Sequence, residues 1–182
     1  MDLDFLREFS PELVSWLTIL MGIVFSVAWY LDHLTHVKIW EVDITDNELK
    51  THKIILYASW VLQVGLLMLA WNRLIALPII LGAFITRFTH EFIDEMKFHV
   101  DRCSFKETII HLIMWISINT GTAVVFLWGF LFKYKGFGSL PLYHYVLWGI
   151  IFVAMGVIGN RELNSYQNER SKDLRKSEEA LA

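Results

Sequence analysis

The sequence predicts an all-α integral membrane protein: a bundle of about five transmembrane helices with a polar His/carboxylate cluster at its cytoplasmic end. Three observations predict it. The 182-residue chain is 55% hydrophobic, with eight tryptophans and thirteen phenylalanines, which is oilier than ordinary soluble domains. Several windows reach the ~20 apolar residues that a helix needs to cross a ~30 Å hydrocarbon layer. Six of the seven histidines fall near the ends of these windows, on one side of the expected bundle.

Each element has a local cause. Ser10-Pro11 reads as an N-cap followed by proline at the first helical position, opening a span that runs to about His36. This run is too long, and too poor in preceding positive charge, to be a cleaved leader. Val37 to Asn47 is expected to be a loop, and Thr45-Asp46-Asn47-Glu48 has the form of a capping box opening span two, which ends near Trp71. Asn72-Arg73 is the polar break before Leu74, so spans two and three should form a tight helical hairpin. Span three, bent near Pro78, leaves the membrane within Phe88 to Cys103, which places His99, Asp101 and Cys103 in a loop. A re-entrant Leu74 to Phe88 is disfavoured because backbone in lipid must satisfy its own hydrogen bonds. Ser104-Phe105-Lys106-Glu107 is a second capping box and opens span four, which ends near Lys133. Span five runs from Leu140 to Gly159. Residues 1–160 thus form one transmembrane domain, and 161–182 form a polar cytoplasmic tail, read as a short solvated helix or a disordered segment.

Charge orients the bundle. Five spans put twelve of the sixteen lysines and arginines on the side holding the Cys103 region and the C-terminus, so by the positive-inside rule that side is cytoplasmic and the N-terminus lies outside. A net charge of −3 with no long basic run leaves a nucleic-acid partner without an electrostatic footprint. One cysteine excludes an intramolecular disulfide and a cysteine-rich zinc site. No phosphate-binding glycine loop, GxSxG or HExxH occurs.

The histidines carry the functional expectation. His33 and His36 end span one, His52 opens span two, His90 ends span three, and His111 opens span four. Carboxylates accompany them at helical spacing: Glu48 with His52, His90 with Asp94, and Glu107 with His111. The intervals His33 to His52 and His90 to His111 are 19 and 21 residues, which suggests two pseudo-symmetric hairpins, spans one and two facing spans three and four. Ionisable groups next to hydrocarbon usually face a bundle interior, water or one another. Imidazoles and carboxylates together suit a transition metal, and helical bundles build dimetal sites from such pairs. The expected metal ligands are His33, His36, His52, His90, Asp94 and His111, with Glu91 and Glu107 as catalytic carboxylates. Against this, Glu107 and Glu48 also serve as capping residues, and His144, opening span five on the far side, reads as interfacial.

The resulting expectation is a metal-dependent membrane oxidoreductase with a dimetal centre, iron preferred, acting on a membrane lipid or another hydrophobic small molecule. Zinc hydrolysis of a lipid amide or ester is the near alternative. Haem b, with His52 and His111 or His33 and His90 as axial pairs, would instead make an electron-transfer protein. A metal-ion carrier or a non-enzymatic subunit of a membrane complex, or a homo-oligomer, is also compatible. The histidine-rich helix ends are similar in outline to those of membrane fatty-acid desaturases and hydroxylases. The HxxxH and HxxHH boxes of those enzymes are absent, His33-Leu34-Thr35-His36 being HxxH, and no family membership follows.

Overall fold

A computed structural model describes residues 10–39, 45–100 and 104–181. The described chain is helical throughout: α1 (Pro11–Ile39), α2 (Asp46–Met68), α3 (Arg73–Ile93) continuing into a π-helical turn (Asp94–His99), α4 (Phe105–Phe132), a 3-10 turn (Phe137–Ser139), and α5 (Leu142–Leu181). Five helical stretches of 21 to 28 residues are long and apolar enough to cross a membrane. Their outward faces carry Leu13, Leu20, Val27, Val64, Ile85 and Val153, all exposed, an apolar surface of the kind suited to hydrocarbon.

The caps start the helices where the pattern requires. The Thr45 side chain accepts from the Glu48 amide at 3.3 Å, and the Asn72 side chain accepts from the amides of Leu74 and Ile75. Ser104 and Glu107 complete a reciprocal box: the Ser104 amide donates to the Glu107 carboxylate at 2.8 Å while the Glu107 amide donates to the Ser104 hydroxyl at 3.3 Å. α3 passes through Pro78 as one continuous helix, with no re-entrant break.

Two packed units build the bundle. α2 and α3 form the expected hairpin, joined through Leu62, Leu66, Leu69, Ala76, Ile80 and Ala83. A Cβ on Gly65 would lie 2.9 Å from Ile80, so glycine lets the two backbones close. α1 packs against α4 and α5, where a Cβ on Gly22 would meet Ile151 at 2.9 Å. The facing-hairpin arrangement is therefore corrected: α1 pairs with α4 rather than α2, because the small residues that permit close approach lie on those faces.

At the end opposite the histidine cluster, the α4–α5 connection is tied down by polar bonds. The chain turns through Lys133 and Tyr134 with φ of 51° and 54°. The Tyr134 hydroxyl donates to the Leu66 carbonyl at 2.6 Å, and Trp128 Nε1 donates to the Lys135 carbonyl at 3.1 Å. The Leu66 carbonyl also accepts from the Leu69 amide at 3.2 Å, so Tyr134 adds a second bond to the last turn of α2 and ties the α4–α5 connection to it. α5 crosses position 160 without interruption, so the first turn of the expected tail belongs to the bundle.

Candidate metal centre

Since successive helices alternate in direction, one end of the bundle collects the finish of α1, the start of α2, the π-helical turn, the start of α4 and the middle of α5. Each brings ionisable groups: Asp32 and His33, Glu48 and His52, Asp94 with Glu95 and His99, His111, and Glu162. His33, Glu48, Asp94 and His99 are buried, Glu48 to 1% exposure, and a carboxylate so far from water requires a matching cation or hydrogen-bond donors.

Two histidines are each held between two carboxylates. His52 Nδ1 lies 3.0 Å from Glu162 Oε1 and its Nε2 lies 3.1 Å from Asp94 Oδ1. His111 Nε2 lies 2.8 Å from Asp32 Oδ1, and its Nδ1 meets Glu95. His99 stands beside both, its ring centroid 6.3 Å from that of His52 and 4.9 Å, edge-on, from that of His111, with Nδ1 3.4 Å from Asp94 Oδ2. A neutral imidazole carries one N–H and one lone pair. Between two carboxylates one ring nitrogen can donate, and the other faces an acceptor unless a cation, proton or metal lies there.

Glu48, His52, Asp94 and His99 each offer one ligand atom, all within 4.8 Å of one another, and Glu95, His99 and His111 form a second such group. At metal–ligand distances of ~2.1 Å, adjacent ligands of a tetrahedral or octahedral ion stand roughly 3.0–3.4 Å apart. The His52–Asp94 and His99–Asp94 separations of 3.1 and 3.4 Å match that spacing. Behind His52 the support continues: Glu162 accepts from Nδ1–H at 3.0 Å while Trp29 Nε1 donates to its other oxygen at 2.7 Å. A carboxylate behind a ligating imidazole orients the ring and raises its basicity.

The structure sorts the sequence-predicted residues by placement. It brings His52, Asp94 and His111 together, with His33 buried at the same end. The side chain of His36 lies outside the described residues, as do Asp101 and Cys103. His90 is not in the group: its Nδ1 donates to the Thr86 carbonyl at 2.8 Å, within its own helix. Glu91 pairs with Arg87 at 2.6 Å, and Glu107 serves its cap. His99, expected in a loop, is instead 4% exposed and shared by both ligand groups.

The cause is the π-helical turn. In an α-helix, residues five apart point roughly 140° apart, whereas the i→i+5 closure of a π-helix brings them near alignment. Asp94 and His99 are five apart and approach through this turn. Asp32 and Glu162 were also missed. The signal for Asp32 was its position inside an apolar span, and for Glu162 its place as the last residue of another. No protein-family model, no curated protein and no solved structure matches this chain.

Proposed function

We propose that the protein is a multi-pass membrane metalloprotein whose centre lies at the His/carboxylate cluster and performs oxidative chemistry on a hydrophobic substrate. The observation that carries the reading is the convergence of Glu48, His52, Asp94 and His99 within 4.8 Å. Two imidazoles with one carboxylate, plus open positions, is the ligand set of non-haem iron sites that activate oxygen, and this group contains it. Glu95, His99 and His111 form a second such position beside it, with Asp32 behind His111 at its other ring nitrogen. A neutral His99 has one lone pair, so it serves one ion at a time, and a dimetal form would need a bridging carboxylate. The haem alternative draws less support: His99 packs against both His52 and His111, where a planar macrocycle would have to fit.

The bundle's contribution would be to hold the ions in a largely water-excluded setting with substrate delivered from the bilayer. The inside location of this end rests on the charge distribution. The test is elemental analysis, joined to an absorption spectrum, of protein purified without chelator. The expected result is on the order of one or two equivalents of iron with no Soret band. Less than ~0.1 equivalent of any transition metal would overturn the proposal, zinc would redirect it to hydrolysis, and a Soret band would redirect it to electron transfer.

A further inference from the structure

The two ligand groups differ in what they show to water. Glu48, Asp94 and His99 are buried and His52 and His111 half-buried, whereas Glu95, alone among the residues of the two groups, is exposed, its side chain at 47%. His99 belongs to both groups. Asp94 and Glu95 are neighbours in sequence and divide the work: Asp94 meets His52 on the inner side, and Glu95 meets His111 on the outer. Lys97, two residues on, is also exposed, and an ammonium at this level marks a rim in reach of water.

A divalent transition-metal ion arrives hydrated, and stripping its water before any ligand replaces it is strongly unfavourable. It therefore enters a buried site by exchanging ligands one at a time, starting with a group that it can touch while still hydrated. The inner group offers little of this: Glu48, Asp94 and His99 are buried, and both ring nitrogens of His52 are engaged by carboxylates. Glu95 does offer it, and ligand atoms of Glu95, His99 and His111 all lie within 4.8 Å of one another. Asp32, on the other ring nitrogen of His111, adds negative charge at the same place. From there His99 leads inwards, its Nδ1 being 3.4 Å from Asp94. A neutral imidazole has one lone pair, so His99 leaves the outer group as it joins the inner one.

We infer that Glu95, His111 and His99 form an entry site through which a divalent transition-metal cation passes to a single resident position at Glu48, His52, Asp94 and His99. The inference rests on the proposed metal centre. The ion keeps its oxidation state throughout: water leaves it at the outer group, and Glu95 and His111 leave it as the inner carboxylates and His52 take hold. A route serves both directions, so Glu95 governs release as well as uptake and leaves the equilibrium affinity alone. A ligand of the resident ion behaves differently, because its loss speeds release and weakens binding.

The test uses Co²⁺ as the probe. Full-length protein in detergent is stripped with chelator, dialysed and mixed with Co²⁺. Uptake is followed by visible absorption, release by transfer to excess EDTA, and bound metal by elemental analysis. The parent should take up about one equivalent. Glu95→Ala should slow uptake and release alike, each about tenfold, and leave the dissociation constant and final content at the parent values. Glu95→Asp, which keeps the carboxylate, should restore much of the rate. Unchanged rates in Glu95→Ala would overturn the inference and leave the metal centre standing. Faster release with weaker binding, or a second bound equivalent that Glu95→Ala removes, would also overturn it, since either makes Glu95 a ligand of a resident ion. A parent that binds no Co²⁺ would overturn the metal centre and the entry site together. Far-UV circular dichroism matching the parent establishes that both variants are folded.

Discussion

The two ends of the bundle each hold a histidine against α1, and they do so in opposite ways. At one end His111 is held by Asp32 and Glu95, and its neighbour His52 by Asp94 and Glu162. At the other, His144 is 1% exposed rather than interfacial as the sequence suggested; its Nδ1 lies 2.7 Å from the Ser15 hydroxyl, and its ring packs against Trp16 and Tyr143. Its Nε2 has no hydrogen-bond partner among the described residues. The first environment gathers negative charge around imidazole and calls for a cation. The second offers a hydroxyl and aromatic faces and calls for packing. A buried histidine in a bundle of apolar helices therefore says little until its partners are known.

The largest effect should separate the ends outright. With the proposed metal centre, His99→Ala removes a ligand and should weaken metal binding by more than about 100-fold, while His90→Ala and His144→Ala should leave elemental content at the parent level. Equal loss in His90→Ala and His99→Ala would break the assignment, since His90 is turned to its own backbone. Next in size, Glu162→Gln keeps the volume of the group behind His52 but weakens its hold on the ring; metal affinity should drop roughly 10- to 100-fold in chelator competition with little change in melting temperature.

At the opposite end the effects are on stability alone. Ser15→Ala strands a buried imidazole nitrogen and should cost about 1–2 kcal/mol in reversible unfolding, with metal content unchanged. A change in metal content there would mean that the ends are coupled. Smallest is Tyr134→Phe, which loses the bond to Leu66 and should cost ~1 kcal/mol near neutral pH. Burial pushes the Tyr134 phenol up to about 12. Its folded pKa thus exceeds the ordinary ~10, so its contribution is intact below that value. The contribution is then lost as pH rises towards 12, and Tyr134→Phe should remove that part of the alkaline destabilisation.

The helices were legible because their causes are local. Ser104 and Glu107 form their box within four residues, and an apolar run of helical length announces itself in any window. The site was legible only where spacing follows the α-helical period, as in Glu48 with His52. The same period made His90 and Asp94 appear to be a pair, while their side chains go to different partners. Asp32 with His111 and Glu162 with His52 are meetings across 79 and 110 residues, set by which helices pack, and no local pattern carries that information. Glu107 shows the converse: a carboxylate with two eligible roles, whose observed bond is to the amide it caps.

The π-helical turn has a consequence for how such chains are searched. Asp94 and His99 stand at D-x-x-x-x-H, an interval that looks out of phase on an α-helix. Widening the helix by one residue per turn makes it equivalent to the familiar D-x-x-x-H. The candidate ligand set at this end is thus determined by helical phase as much as by residue identity. A pattern tuned to one pitch passes over a candidate residue that the backbone has brought into line.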